Sequence, residues 1–297
     1  MPEEHESLWD WIKPLLAAFI AVGLILGGMV LYTGNWPPMA VVSSDSMQHS
    51  STVADFGVLN IGDVVLVKKV TSASQITTYV VGQESGFSSY GEFGNVIIYN
   101  SHDINQRPNH VPPVIHRAIL YLQYNASGGG YDIPSLLHLP FSQWYVVGPA
   151  AQSHDIYNVK GSIVIKDVGY PGTPVYIPIS NFVGKANYSG FVTMGDYNHA
   201  FRGENATDQS PSVGICPLPV KLQWIVGIAE GYLPYVGLIK LELTPGSIPP
   251  NQAPAANSVY ALVLILTAIV TVPIASELIL YIRRERRDRE QGKKKSD

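Results

Sequence analysis

Two long apolar stretches bracket this chain and limit what it can fold into. Residues 14–33 carry no charged side chain, over the ~20 residues that a helix needs to cross a bilayer. Residues 258–282 form the second stretch, which is interrupted only by Pro273 and Glu277. Both stretches are long enough to span a membrane, so we predict two transmembrane helices.

A cleaved signal sequence is the alternative for the first stretch. Signal sequences begin with a basic region, and their apolar core is shorter than this one. Here acidic residues dominate the preceding segment, and Lys13 is its only lysine or arginine. We therefore expect an uncleaved anchor.

The basic tail indicates how the two helices are oriented. Eight lysines and arginines lie in residues 283–297, and basic residues that flank a span favour the cytoplasmic side. With two spans, residues 1–13 return to the cytoplasm as well. We predict a two-pass protein of the cell membrane, in which residues 34–244 form an extracytoplasmic domain and residues 245–257 a Pro-rich linker.

The composition of the outer segment excludes some partners and cofactors. Residues 34–257 carry ten Lys and Arg against fourteen Asp and Glu, without a basic patch, so we expect no nucleic-acid partner. No group of histidine, cysteine and carboxylate has metal-ligand spacing, so we expect no metal or cofactor. Cys216 is the only cysteine, which excludes an intramolecular disulfide. A domain of roughly 220 residues is large enough to be stable through its core alone.

Short runs rich in Val, Ile and Tyr dominate the outer segment, bounded by Gly, Pro, Asn and Ser, which is typical of β-strands. The predicted fold class is mainly β, an antiparallel domain flanked by the two helices. We interpret the polar segments 71–93 and 124–133 as surface insertions or long loops. The predicted strands are Met39–Val42, Val64–Val70, Val96–Tyr99, Val114–Leu122, Trp144–Val147, Ser162–Ile165, Gly190–Met194, Trp224–Ile228 and Leu238–Leu243.

The segment Ser44-Asp45-Ser46-Met47 follows the first predicted strand and carries a candidate nucleophile. A serine attacks well only when a base removes its proton and a third group holds that base in one tautomer. A strand end can expose a hydroxyl beside a backbone N–H, the pairing needed for attack and for stabilising an oxyanion. Judged on local composition alone, a structural Ser/Asp-rich turn is favoured over a nucleophile.

The order of several short motifs resembles signal peptidase I, the membrane-bound serine protease that removes signal peptides from exported proteins. Residues 44–47 resemble its Ser-x-Ser-Met box. Each block alone is weak evidence, whereas five blocks in the family's order, across residues 39–241, are specific. The other four are Gly62-Asp63-Val-Val, Pro113-Val-Ile-His116-Arg117, Gly195-Asp196-Tyr-Asn198 with Asp208-Gln209, and Gln223-Trp-Ile-Val-Gly227 with Leu233-Pro-Tyr-Val-Gly237.

The resemblance implies a role for each matched residue. Ser46 corresponds to the nucleophile, and Ser44 to the residue whose hydroxyl forms the oxyanion hole together with the Ser46 backbone N–H. His116 stands where the bacterial branch has a lysine base. A histidine at this position resembles the archaeal and endoplasmic-reticulum branch. An imidazole, with an ordinary pKa of ~6.5, suits this task without the desolvation that a lysine base requires.

The matching carboxylates are Asp208, which would orient His116, and Asp196, which would be a supporting group. In the family these two aspartates lie a few residues apart, whereas here they are twelve apart. The insertion between them leaves open which aspartate faces His116, and Glu204 is a third candidate.

Two departures from the family's pattern lie beside the nucleophile. Asp45 replaces a common glycine, and its charge would oppose a developing oxyanion unless the side chain points away. His49 replaces a proline, and we expect it to lie on the surface.

The resemblance implies a serine endopeptidase whose partners are preproteins with signal peptides emerging from the secretion translocon, with membrane lipid around its helices. The sequence does not predict the oligomeric state. Two alternatives stay open. One is a sortase-like transpeptidase that uses Cys216, and the other is a non-catalytic, membrane-anchored β module that binds exported proteins.

Overall fold

The computed structural model describes residues 8–101, 112–148 and 152–294. Within this part of the chain, a β-rich domain lies between two long helices. The predicted N-terminal segment 1–13 and basic tail 283–297 fall partly outside the described residues.

The two long helices coincide with the predicted apolar stretches. Helix α1 (Leu8–Thr33) contains an apolar span at Ile12–Thr33, and the C-terminal helix (Ala256–Lys294) contains one at Ala256–Arg287. Their mean hydropathies are 2.4 and 2.3, and only 0% and 6% of these windows lie buried inside the protein. Side chains so apolar and so little covered by protein are consistent with helices that lie in a membrane.

The regular elements between the two long helices are thirteen strands and three short helices in the described residues. The strands are β1 (Met39–Val41), β2 (Val64–Lys68), β3 (Ser88–Ser89), β4 (Glu92–Phe93), β5 (Val96–Tyr99), β6 (Val114–Asn125), β7 (Gly130–Asp132), β8 (Trp144–Val147), β9 (Gln152–Ser153), β10 (Ser162–Val168), β11 (Thr173–Ile177), β12 (Gly190–Met194) and β13 (Ile225–Leu233). The helices are α2 (Tyr79–Ser85), α3 (Asp196–Arg202) and α4 (Leu238–Leu243), so that the C-terminal long helix is α5.

The strands form two main antiparallel sheets, which confirms the prediction of a mainly β, antiparallel domain. The larger sheet has the order β1-β2-β13-β5-β6-β12, and β7 extends it from the far end of β6. The smaller sheet has the order β11-β10-β8-β9, and β3 and β4 form a separate hairpin. β1 lies at the edge of the larger sheet, whereas β6 lies inside it, between β5 and β12.

One predicted strand is wrong, and of the alternatives predicted for two polar segments, surface insertions or long loops, the structure contradicts long loops. Leu238–Leu243 is a helix: Leu238 and Leu241, three residues apart, are buried while Leu243 is exposed. A short apolar run alone cannot distinguish a helix from a strand. The segments 71–93 and 124–133 are not long loops, because they contain α2, the β3–β4 hairpin and β7. Their aromatic residues Tyr79 and Tyr131 are buried, which explains why these polar segments are ordered.

One cluster of buried side chains joins the two sheets. It includes Leu120 and Val192 from β6 and β12, and Trp144, Ile163 and Val175 from the smaller sheet, all fully buried. Burying such a side chain contributes roughly 1.5–3 kcal/mol. The smaller sheet therefore holds β6 and β12 in place.

A second cluster attaches the C-terminal helix to the domain. Leu238 and Leu241 of α4 pack there with Ile61, with Ala255 before α5, and with Leu262 in its second turn. The segment between α4 and α5 consequently has both ends fixed on the domain.

A buried carboxylate fixes the turn before β2. Asp63 is fully buried, and its two oxygens accept hydrogen bonds from the backbone N–H groups of Asn60 (2.8 Å) and Tyr235 (2.9 Å). Burial raises the pKa of Asp63 to about 6, although these hydrogen bonds act in the opposite direction. The neighbouring Gly62 has a φ of +95°, and an added Cβ would lie 2.3 Å from Leu238 Cγ.

We predict that Gly62→Ala destabilises the domain by about 2–4 kcal/mol, since it adds a steric overlap to left-handed strain. Gly57→Ala is a matched control, because Gly57 has a φ of +92° and no atom within 4 Å of an added Cβ. The control should be destabilised only by the left-handed strain, about 1–2 kcal/mol. Chemical unfolding of both variants in detergent measures the difference, and equal losses would contradict the close packing on Leu238.

Asp63 should also make stability depend on pH. Because the folded protein binds this proton more tightly than the unfolded chain, the contribution of Asp63 is greatest below its ordinary pKa of 3.8 and is lost as pH rises through about 6. The expected loss in the free energy of unfolding over this pH range is on the order of 2–3 kcal/mol. The test measures the free energy of unfolding of the parent and of Asp63→Asn between pH 4 and about pH 7. The difference between the two proteins should vary with pH. A constant difference would refute the raised pKa.

Candidate active site

The candidate nucleophile lies in a turn directly after the edge strand β1. Ser44 and Ser46 are half-buried, and their hydroxyl oxygens are 3.2 Å apart. The next side chain, Met47, is 1% exposed and packs among the apolar residues under the larger sheet. The backbone N–H of Gln48 donates to the Asp45 carbonyl (3.0 Å), which closes the turn. A buried anchor thus follows the two hydroxyls and holds them at the end of the strand.

His116 projects from the central strand β6 onto a buried carboxylate. The imidazole is 2% exposed, and its Nδ1 lies 2.8 Å and 2.7 Å from the two oxygens of Asp208. A carboxylate accepts hydrogen bonds, so Nδ1 carries a proton, and the neutral tautomer with that proton has Nε2 as an acceptor. The structure therefore brings Asp208, of the three candidate carboxylates, against His116.

Asp208 is itself held by two hydroxyl groups. Tyr99 Oη donates to Asp208 Oδ2 (2.7 Å), and Thr193 Oγ1 donates to the same oxygen (2.6 Å). Burial, and then the charge of Asp208, hold the pKa of Tyr99 well above its ordinary value, so this phenol stays protonated and donates. The backbone N–H of Asp208 donates to the Thr193 carbonyl (2.9 Å), which fixes the segment beside β12.

The serine turn and the imidazole meet at Gly195. A Cβ added to this glycine would lie 2.6 Å from the Ser46 carbonyl oxygen and 2.9 Å from His116 Nε2. The backbone N–H of Tyr197, in the first turn of α3, donates to the same carbonyl (2.9 Å). Only a residue without a side chain allows this approach, so Gly195 brings the two groups to one place.

One cavity of about 570 Å³ contains both groups. Its walls include Ser44, Asp45 and Ser46 on one side and Ile115 and His116 on the other. The Ser46 hydroxyl has Ser44 as its hydrogen-bond partner in the described part of the chain. Burial raises the pKa of the Asp45 carboxyl, which is half-buried at this cavity.

Asp196 lies on the other side of β6, against Arg117. Successive residues of a strand point to opposite faces, so His116 faces Asp208 while Arg117 faces Asp196. The Arg117 guanidinium donates through Nε to Asp196 Oδ1 (2.9 Å) and through Nη2 to Oδ2 (2.6 Å). Burial raises the pKa of Asp196, but the charge and hydrogen bonds of Arg117, with a smaller effect of His49, leave it below its ordinary value.

His49 is not a surface residue, so this expectation is wrong. Its side chain is 15% exposed, and its Nε2 lies 3.6 Å from Asp196 Oδ2. Its ring stacks on Tyr170, with 4.2 Å between centroids. The aromatic face of Tyr170 covers the imidazole, which is why a polar residue so near the nucleophile lies partly inside.

The remaining candidates lie apart from these groups. Glu204 is exposed, and the Nδ1 that it would have to reach faces Asp208. Cys216 is fully buried in the core with Tyr99 and Phe191, so its thiol is not accessible to a substrate.

Three residues that hold the site were not predicted from the sequence to do so: Tyr99, Thr193 and Arg117. The first two lie in predicted strands, and Arg117 directly follows His116.

We predict that Asp196→Asn destabilises the protein by about 3 kcal/mol, because it leaves the buried Arg117 guanidinium without a counter-charge. Glu230→Gln is the matched control, since it removes a carboxylate from the exposed ion pair with Lys68 (2.9 Å). Exposed pairs contribute little, so the control should unfold at nearly the parent's denaturant concentration. Similar midpoints for both variants would show that the buried pair does not stabilise the domain.

Comparison with known proteins does not identify a family: no family model, no curated protein and no solved structure matches the chain. What the site can do is therefore argued from its own residues.

Proposed function

We propose that the protein is a membrane-anchored serine endopeptidase of the signal peptidase I type, in its Ser-His-Asp branch. The single observation that supports this most is the buried His116–Asp208 pair, with the Ser46 backbone carbonyl and His116 Nε2 both close to Gly195. Ser46 and His116 also line one cavity, and a histidine held in one tautomer within reach of a serine hydroxyl is the arrangement that nucleophilic catalysis requires.

The reaction would proceed through an acyl-enzyme. His116 Nε2 accepts the proton of Ser46 as Oγ attacks the scissile carbonyl carbon, and Asp208 stabilises the imidazolium. The imidazolium then gives this proton to the leaving amine as the peptide bond breaks. Water, activated by His116, hydrolyses the ester, and Ser46 regains its proton.

The oxyanion would be stabilised by the Ser46 backbone N–H and the Ser44 hydroxyl. The Ser44–Ser46 contact of 3.2 Å supports this role, since both hydroxyls already lie in one place. For attack, Ser46 Oγ would have to exchange Ser44 for His116 as its hydrogen-bond partner.

An extended preprotein segment suits the cavity beside β1. This strand has one free edge in the larger sheet, and an extended peptide can pair with such an edge through main-chain hydrogen bonds. The cavity walls run along Met39 to Ser46 and along Pro112 to His116. The resemblance implies that small side chains precede the cleaved bond.

Membrane anchoring would place this cavity close to the lipid surface. Only residues 34–38 separate α1 from β1, and five residues span at most ~18 Å. We propose that both termini face the cytoplasm and that the catalytic domain lies outside it, as the basic tail indicates. The substrates would be preproteins whose signal peptides leave the translocon within the same membrane.

The proposal predicts that Ser46→Ala and His116→Ala each lower kcat for a preprotein by at least ~10³-fold, because either change removes proton transfer from the nucleophile. Asp208→Asn should lower kcat to a similar degree by favouring the wrong tautomer. Ser142→Ala and His138→Ala are matched controls at exposed or half-exposed positions of the domain and should cut like the parent. Cleavage is measured with purified protein in detergent.

Cleavage by Ser46→Ala at the parent's rate would refute the assigned mechanism. A parent protein that folds and binds preproteins without cutting them would instead favour the non-catalytic membrane-anchored module. Full activity of Cys216→Ala would argue against thiol chemistry.

A further inference from the structure

The segment between α4 and α5 lies against the turn that carries Ser46. Gln252 Oε1 accepts a hydrogen bond from the backbone N–H of Asp45 (3.0 Å), although the two residues are 207 positions apart. Pro249 and Gln252 line the same cavity as Ser46 and His116. A segment predicted to be a linker is therefore a wall of the candidate active site.

This wall is fixed to the domain on both sides of Gln252. After it, the Asn257 amide exchanges two hydrogen bonds with the backbone of Ala54, both 2.9 Å long. Before it, the Ser247 hydroxyl donates to the Leu241 carbonyl (3.1 Å), and the Gln252 backbone N–H donates to Pro249 (3.2 Å). Gln252 consequently reaches the turn from a segment whose own backbone is held.

The hydrogen bond fixes one of the two peptide planes that flank Asp45. The Asp45 N–H lies in the peptide plane between Ser44 and Asp45, and its hydrogen bond to Gln252 holds that plane. The Asp45 carbonyl lies in the peptide plane between Asp45 and Ser46, and the hydrogen bond from the Gln48 N–H (3.0 Å) holds that second plane. Because peptide units are rigid planes, fixing both sets φ and ψ of Asp45. These angles determine where the Ser46 N–H points and how far apart the Cα atoms of Ser44 and Ser46 lie.

We propose that Gln252 is a positioning residue for the Ser44–Ser46 turn, an inference that rests on the proposed function. It acts through Asp45 and aligns the nucleophile with the oxyanion donors, so its loss affects the chemical step more than substrate binding. The C-terminal membrane helix is thereby connected to catalysis through a single side-chain acceptor.

The test compares the full-length parent with Gln252→Ala, Gln252→Glu and Gln123→Ala. Gln252→Ala should speed amide exchange at Asp45 and lower kcat, each by about tenfold, the effect of one lost hydrogen bond. KM for a preprotein should change less than about twofold, because the missing contact is not with the substrate. Gln252→Glu keeps an oxygen at the same reach and should retain the slow exchange of the Asp45 amide.

Gln123→Ala removes an exposed glutamine of β6 and should match the parent in exchange and in kcat. If the parent cuts a preprotein and Gln252→Ala cuts it with the same kcat, the inference is wrong while the proposed function stands. Unchanged exchange at Asp45 in Gln252→Ala overturns the inference whether or not the protein is a peptidase. If the parent does not cut, the proposed function fails, and the exchange rates alone decide whether Gln252 holds the turn.

Discussion

The candidate site depends on one buried carboxylate that holds three strands together. Asp208 accepts hydrogen bonds from Tyr99, His116 and Thr193, which lie on the adjacent strands β5, β6 and β12. A fully buried carboxylate is expensive to desolvate and is tolerated only when such donors surround it. Since the same contacts that satisfy Asp208 also orient His116, the imidazole is positioned as a consequence of folding rather than by a separate device.

The alternation of side chains along β6 separates two carboxylates with different tasks. His116 and Arg117 are neighbours in the chain, yet one faces Asp208 and the other faces Asp196. Arg117 Nη1 also lies within hydrogen-bond distance of four backbone carbonyls around the β3–β4 hairpin, to which its two N–H groups donate. Asp196 thus neutralises a cation that organises the hairpin, whereas Asp208 orients the imidazole on the opposite face of β6.

The sequence predicted the parts of this structure that depend on local pattern. Runs rich in β-branched residues located β5, β6 and β12, and long apolar stretches located both long helices. It could not decide between Asp196 and Asp208, because that choice depends on α3 and on a segment that folds back beside β12. Leu238–Leu243 was predicted to be a strand because six mostly apolar letters carry no reliable period. Gln252 lay beyond prediction as well, since nothing in a Pro-rich segment indicates a contact 207 residues away.

Both long helices reach the nucleophile turn by short, ordered routes. α1 leads into β1, whose end carries Ser44 and Ser46, and α5 begins four residues after Gln252. Leu262 of α5 belongs to the same apolar cluster as Ile61 and α4, and this cluster attaches the helix to the domain. If both helices span a membrane, as proposed, the turn keeps a defined distance from the lipid surface. An extended peptide that leaves the bilayer would then reach the Ser46 hydroxyl at a set distance from its apolar span.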